Sequence, residues 1–532
     1  MRRVGASAVR DAAVDHSGAL LFVAAYAILT FAWIFANPPF AAPDEWAHVV
    51  RAESIAYGQL IGTPPKGRVL GPAPPGVPAA AHEEEERWAK ENTRRVSIPA
   101  GKTPQWFSCS ADPLVPAICL TGGPKPAPAA SYQIPTGNYQ PFPYLLPALV
   151  ARLPADPNNI AIGMRILKAV LALALIAAAF LLLWAPGERS LPAVGLVVAM
   201  TPMVVFLAAT VNPSGLEIAA AIAFFATLLR MRRASAAHPA VWAALGASGV
   251  VLSLSRGQAP VWVVLDLAVF LALVGVRPAI ALVKSGGRWA ISALGAIAAA
   301  VVVNRIWEAL YGPNLPADPT PVGLALKSGW FELPGVLRQE IGSFDYLENG
   351  LSPLAYIAWY SLVAALVAIA LLVGTRRERT VLCTLLAASL VIPVGLVAVI
   401  MRHTGYGLQG RYVLALSVVV PVLAGEIVFR GRAVLEALNA RGLVIPFAAV
   451  AAAVHLDGLY ANARRFAVGV AGPQWFPGRP VVWAPPGGWW LWLFAMVAGA
   501  ALLALAVPLE ALLARRTTRR LHGTAAASGI SR

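Results

Sequence analysis

The sequence predicts an all-α integral membrane protein of about twelve transmembrane helices, with a long first extracytoplasmic loop that carries interfacial helices. Three observations carry this reading. Hydrophobic residues make up 58% of the 532-residue chain and charged ones 13%, at a mean hydropathy of +0.67, so there is too little polar surface to cover soluble domains of this total length. Apolar runs of about twenty residues, each enough to cross ~30 Å of hydrocarbon, recur along nearly the whole chain. Lys and Arg fall in alternate short connections between those runs, the pattern of positive loops retained in the cytoplasm. The formal net charge of +16, from 42 Lys and Arg against 26 Asp and Glu, has the same origin. It faces anionic membrane lipid and implies no nucleic-acid partner.

Taken in order, residues 1–17 read as a cytoplasmic N-terminus holding Arg2, Arg3 and Arg10, and 18–36 as the first transmembrane helix. No small-residue cleavage site follows it, so it reads as an uncleaved anchor. Residues 37–159 form the long outer loop. It holds 22 of the 44 prolines, which predicts an extended, turn-rich layer with a few short helices and no separately folded domain. Residues 160–509 make the bundle of about eleven further spans, near 160–184, 190–209, 213–229, 240–255, 258–275, 289–304, 353–373, 380–400, 411–428, 442–460 and 489–509. Segments 305–352 and 461–488 lie outside with the long loop. Residues 510–532 form a basic cytoplasmic tail, disordered from about Thr517. With both termini inside, every cytoplasmic connection carries Lys or Arg, and removing one span would put RMRRA or GTRRERT outside. Of the three cysteines, Cys109 and Cys119 share one polar loop and could form an extracytoplasmic disulfide, while Cys383 lies in an apolar run.

The long loop opens with PPFAAPDEWAHVVRAESIAYGQL, residues 38–60. Pro43 suits a first helical position, Asp44 and Glu45 suit the first turn, and Trp46, Val49, Val50 and Ile55 give an apolar side, which predicts an amphipathic interfacial helix. At 3.6-residue spacing Asp44, His48 and either Arg51 or Ala52 follow one face, above the outer leaflet. Helix capping and a solvated polar face account equally for these residue types. A second stretch, MRHTGYGLQGRYVLAL at 401–416, crowds Arg402, His403, Gln409, Arg411 and Tyr412 where the positive-inside bias keeps positive charge low, and Arg256 stands at another outer turn. Guanidinium groups match phosphate oxygens, so these arginines suggest an anion site; snorkelling to lipid phosphate is the alternative.

Other polar residues are less specific. Arg165, Lys168 and Glu217 lie a turn inside apolar segments, where a structural ion pair is the simpler account. Asp266, near the middle of a span, suits a proton relay or a helix–helix hydrogen bond. Tyr132, Tyr139, Phe142 and Tyr144 could stack on a sugar or form an interfacial belt, and the run Glu83 to Glu86 suits a solvated helix face.

The motif PPFAAPDEWAH resembles the first-loop signature of the multi-spanning membrane family called domain of unknown function 2142: a proline-rich turn, Asp-Glu, one or two residues, His, then an Arg. Here those are Pro43, Asp44, Glu45, His48 and Arg51. TGNYQPFPYLLP, IGSFDYLENGLSP and LQGRYVLAL also resemble it, which spreads the likeness from about residue 38 to 420. The layout is similar to that of type C membrane glycosyltransferases, whose donors are polyprenyl-phosphate sugars. That resemblance implies Asp44 as general base with Glu45 or His48 orienting it, and Arg256, Arg402, His403, Gln409, Arg411 and Tyr412 around the donor phosphate. Arg51, Tyr139, Glu217 and Asp345 are then candidate substrate contacts. Asp345 and Glu348 stand where the family more often shows a Gly-Trp-Leu-Asp-like run.

The expected function is therefore transfer of a sugar from a polyprenyl-phosphate donor to a glycan or lipid acceptor at the outer face of a bacterial plasma membrane, for cell-envelope biogenesis. No metal ligand set is assigned, and a divalent cation on Asp44 and Glu45 is the alternative to the arginines. A transporter or flippase of a lipid-linked glycan, with Asp266 in the membrane, and a non-catalytic envelope-assembly scaffold are the other two readings.

Overall fold

A polar cap followed by proline opens helix after helix. In this computed structural model Asp156, Thr201, Asn212, His238 and Ser352 each accept a backbone N–H through the side chain, and each precedes a proline at the first helical position, where the missing N–H is not needed. The structure describes residues 16–73, 75–76, 78–104, 117, 127–128, 130–185, 191–234, 236–312, 320–345, 347–404, 408–437 and 442–528, with only the backbone at 401–404, 437 and 514–528.

Helix α1 (Ser17–Ala36) ends where Asn37 turns into extended backbone ahead of Pro38 and Pro39. The loop beyond it holds α2 (Glu45–Ala56), α3 (Ala79–Asn92), the antiparallel hairpin of β1 (Arg94–Ile98) and β2 (Ala130–Ile134), and α4 (Leu145–Ala151). The expectation of an amphipathic interfacial α2 is corrected here. All its residues except Trp46 are buried, because Ala47 and Val50 pack on Val96, Ile98 and Ile134 of the hairpin while Val49, Ala52 and Ile55 pack on Tyr144, Ala148 and Ile160. Pro43 also lies outside the helix, which Asp44 caps by position.

The remaining helices are α5 (Pro157–Leu183), α6 (Val194–Ala199), α7 (Pro202–Ala208), α8 (Pro213–Arg232), α9 (Pro239–Ser255), α10 (Ala259–Val274) and α11 (Val276–Tyr311). Then come α12 (Val322–Gly342), a minimal hairpin of β3 (Ser343–Phe344) and β4 (Asn349–Gly350), α13 (Pro353–Val373), α14 (Arg376–Thr404), α15 (Leu414–Ser417), α16 (Val419–Arg430), α17 (Arg432–Ala437), α18 (Val444–Val468) and α19 (Gly488–Ser528). Helix α8 is apolar all round and is enclosed by α5, α9, α10 and α16, which makes it the centre of the bundle.

Each of the twelve expected spans contains helix, yet among the described residues eight helices are long and apolar enough to cross a membrane, or nine if one bent pair counts as a span. The other expected spans fall short for local reasons. Helices α6 and α7 meet at 71° because Pro202 cannot donate back along α6 and Thr201 starts a new helix. Helices α9 and α10 have 17 and 16 residues, and the span expected at 411–428 is broken into α15 and α16 at Val418. The connection expected before residue 289 is helical instead: α11 runs 36 residues through a kink at Gly287, whose φ of 52° suits glycine. The tail expected to be disordered continues α19 to Ser528.

Candidate functional site

At the end of the bundle carrying the long loop, the turn Pro43–Asp44 is gripped from a distant part of the chain. Asp44 occupies the left-handed region at φ 59°, ψ 7°, which costs a non-glycine residue about 1–2 kcal/mol, and its side chain makes no capping hydrogen bond. The capping account of Asp44 therefore does not describe it. Its carboxylate instead pairs with the Arg411 guanidinium, and Arg411 Nη1 also donates to the Pro43 carbonyl at 3.1 Å, as does Asn212 Nδ2 at 3.3 Å. The Arg411 side chain is 2% exposed, whereas that of Asp44 is 44% exposed, so the acid is the accessible member of the pair.

Arg411 sits in a tight 3₁₀ turn, Gly410–Tyr412, seated on α12: Gly410 donates to Gln339 Oε1 at 2.7 Å, and a β-carbon at 410 would stand 2.5 Å from the Val336 carbonyl oxygen. Tyr412 links the two arginines expected from sequence, with the Arg256 guanidinium 4.4 Å and that of Arg411 5.2 Å from its ring centre. Arg256 is held by Ser214 Oγ at 2.6 Å and lies 4.0 Å from Glu217, which also accepts from Trp262 Nε1 at 2.9 Å. Asn304 Nδ2 donates to the Arg256 carbonyl at 2.7 Å, and Gln258 Nε2 to that of Tyr412 at 2.6 Å. The structure thus joins Asp44, Arg411, Tyr412, Arg256 and Glu217 into one chain of contacts. Ser214, Asn304, Gln258 and Trp262, which complete it, were missed by sequence reasoning; Ser214 in the NPSG helix start was the one with a local signal.

Burial alone would raise the Asp44 carboxyl, but Arg411 and Arg256 outweigh it and hold the group below its ordinary value. His48 is different: burial, with help from Arg411 and Arg256, brings its imidazole down to about 3, so it is neutral. Its Nδ1 meets the Tyr144 hydroxyl at 2.8 Å, and its ring lies 6.1 Å from that of Tyr139.

The other expected residues stand apart from this cluster. Glu45 follows Asp44 in sequence but points the other way, pairing with Arg165 through Nε at 2.8 Å and Nη2 at 2.5 Å and accepting from Val211 N at 2.9 Å. Arg165 spends its remaining donors on the carbonyls of Ile34, Asn37 and Pro38 at 2.6–2.8 Å, which ties α5 to the end of α1. Arg51 clamps the carbonyls of Gln59, Leu60 and Tyr139 at 2.6–3.3 Å. Asp345 forms a fully buried pair with Arg465 at 3.1 Å. Tyr132 meets Thr103 within the hairpin layer, and the Gln409 side chain is half-buried beside the 3₁₀ turn. The side chains of Arg402 and His403, and the residues Cys109 and Cys119, lie outside the described residues. A divalent ion does not fit the acidic pair, because Asp44 and Glu45 are each taken by a different arginine; among the described residues no three His, Cys, Asp or Glu groups converge.

No curated protein matches the chain. The family described as "Predicted membrane protein (DUF2142)" matches residues 27–420, a stretch that begins within α1 and ends beyond Arg411 and so takes in both halves of the Asp44–Arg411 pair. With more than half of its length covered, the chain belongs to this family of membrane proteins.

Proposed function

We propose that this protein is a membrane glycosyltransferase that moves a sugar from a polyprenyl-phosphate donor to a cell-envelope glycan or lipid acceptor. The single observation that carries the reading is the pairing of Asp44 with Arg411, residues 367 positions apart, on a strained and accessible turn. Strain held at an accessible charged residue is a usual mark of a working site. In this reading the twelve helical segments are twelve crossings of the bacterial plasma membrane, both termini are cytoplasmic, and the long loop faces out.

The chemistry follows from charge. At rest Arg411 neutralises Asp44, and a carboxylate held below its ordinary value is a weak base. A donor phosphate entering beside Arg411 and Arg256 competes for the same guanidinium, and the exposed Asp44 is the group displaced. Freed from its cation, Asp44 takes the proton of the acceptor hydroxyl as that oxygen bonds to the anomeric carbon. The bond from that carbon to the phosphate oxygen breaks, and polyprenyl phosphate leaves with its charge held by the two arginines. Base activation is thereby tied to donor arrival. An apolar groove of about 210 Å³, lined by Leu337 and Ile341 of α12, Trp359 of α13, and Leu414 and Val418 just beyond the 3₁₀ turn in sequence, suits a prenyl chain. His48, neutral and fixed to Tyr144, positions α2.

The test is incubation of purified protein with a panel of polyprenyl-phospho-sugars and envelope acceptors, scored for glycosylated product together with released polyprenyl phosphate. A second reading, transport of a lipid-linked glycan, is favoured by Asp266, a buried carboxylate within α10 whose Oδ2 has no hydrogen-bond partner among the described residues. Movement of the intact donor across liposomes without bond cleavage would support transport over transfer.

A further inference from the structure

The opposite end of the bundle holds a cavity that the transfer chemistry does not use. It encloses about 610 Å³, within the range of small-ligand sites, and five arginines line it: Arg230, Arg232 and Arg233 at the end of α8, and Arg430 and Arg432 between α16 and α17. Helix α8 separates it from the Asp44 cluster by about 30 Å, since twenty residues rise ~1.5 Å each.

Among the described residues, Glu378 and Glu426 face these cations. Glu378 takes Arg232 at 2.6 Å and Arg430 at 3.4 Å, and its second oxygen accepts from Thr375 N and Oγ at 2.9 and 2.8 Å. Glu426 takes Arg233 through Nε and Nη2 at 2.5–3.2 Å. Among the described residues, Arg230, Arg232, Arg233 and Arg430 less Glu378 and Glu426 leave two positive charges. The C-termini of α5, α8 and α16 meet here and offset at most about half a charge each, so the cavity stays positive.

The arrangement is built rather than merely basic. Arg232 and Arg233 are nine-tenths buried, and Arg232 Nη1 has no hydrogen-bond partner among the described residues. A buried guanidinium N–H without an acceptor is costly, and a ligand oxygen would satisfy it. Phe429 carries Arg233 at 4.2 Å and Arg432 at 4.7 Å from its ring centre, which fixes two of the planes. Arg230 and Arg430 are exposed at the rim. The five described cations lining this cavity are guanidinium groups, which bind phosphate through two parallel hydrogen bonds.

We infer that this cavity binds a phosphate group carrying net negative charge, either the headgroup of an anionic membrane lipid or a phosphate-bearing solute. A basic pocket between helix ends at the membrane surface is a known setting for the first. The site stands independently of the proposed glycosyl transfer.

The full-length protein in phosphatidylcholine nanodiscs tests this, with thermal midpoint read while phosphatidylglycerol is included in the disc or inorganic phosphate is titrated from solution. The comparison variant is Arg230→Gln/Arg430→Gln/Arg432→Gln, which leaves the buried pairs in place; Arg430→Gln alone replaces it if the triple variant does not fold. A rise with phosphatidylglycerol only identifies a lipid source, and a rise with inorganic phosphate identifies a soluble one. In either case the variant should need on the order of tenfold more ligand for the same rise, as expected for losing one or two charge-assisted hydrogen bonds. Equal responses of wild type and variant, or no response to either ligand, would overturn the proposal.

Discussion

Asp44 and Glu45 are neighbours in sequence with opposite fates, and the difference lies in partners that local spacing cannot show. Asp44 keeps an accessible carboxylate on a strained turn, while Glu45 is locked to Arg165, a residue 120 positions away. Sequence reasoning singled out Asp44, Arg256 and Arg411, which the structure brings into one chain of contacts, because charges at the rim of apolar segments are conspicuous. It credited Glu45 and Asp345 with chemistry because nothing local marks a buried ion pair. Glu53 is a further residue that reading passed over. It is fully buried in α2, neither carboxylate oxygen has a hydrogen-bond partner among the described residues, and burial, opposed weakly by Lys102, pushes it up to about 8. Between an unfolded value near 4.5 and that folded value, the folded protein holds a proton the unfolded chain has lost, so stability falls as pH rises through this window. Glu53→Gln should flatten the fall. Thermal midpoints of both proteins between pH 5 and pH 8, a window of about three units on the linkage argument, check this, and parallel curves would contradict it.

At the scale of elements, the apolar pattern located helix in each of the twelve expected spans, because ~1.5 Å of rise per residue against ~30 Å of hydrocarbon leaves little freedom, and it did not show α12 (Val322–Gly342) in the expected outer segment. It did not reveal the breaks at Met200–Thr201 and Val418, since a run interrupted inside the bundle stays apolar throughout. Nor did it show the β1–β2 hairpin, whose register depends on residues more than thirty apart. Packing makes one break testable. Helix α6 meets α16 backbone to backbone at Gly195 and Gly425, where a β-carbon on Gly195 would stand 2.5 Å from the Pro421 carbonyl oxygen. Gly195→Ala should cost about 1–3 kcal/mol through this overlap, read as a lowered thermal midpoint in detergent. Gly395→Ala, which meets nothing within 4 Å, is the control and should leave the midpoint near wild type.

For the whole molecule, the end-to-end division of charge organises the account: a half-neutralised acid and two arginines beside the long loop, and an arginine cavity at the other end of α8. If the long loop faces out, a single cysteine at exposed Lys66, in a background without the three native cysteines, reacts with a membrane-impermeant maleimide in intact cells. One at exposed Arg376 then reacts only after permeabilisation, and labelling of both from one side would overturn the orientation. The central claim is that Asp44 is the base of a glycosyl transfer, and asparagine is the informative replacement because it tolerates the left-handed backbone while lacking the basic oxygen. The deciding measurement is turnover of a polyprenyl-phospho-sugar by purified wild-type and Asp44→Asn proteins of equal thermal midpoint. The account predicts a loss of roughly 10²–10⁴-fold with donor binding retained, whereas unchanged turnover in the variant would contradict it.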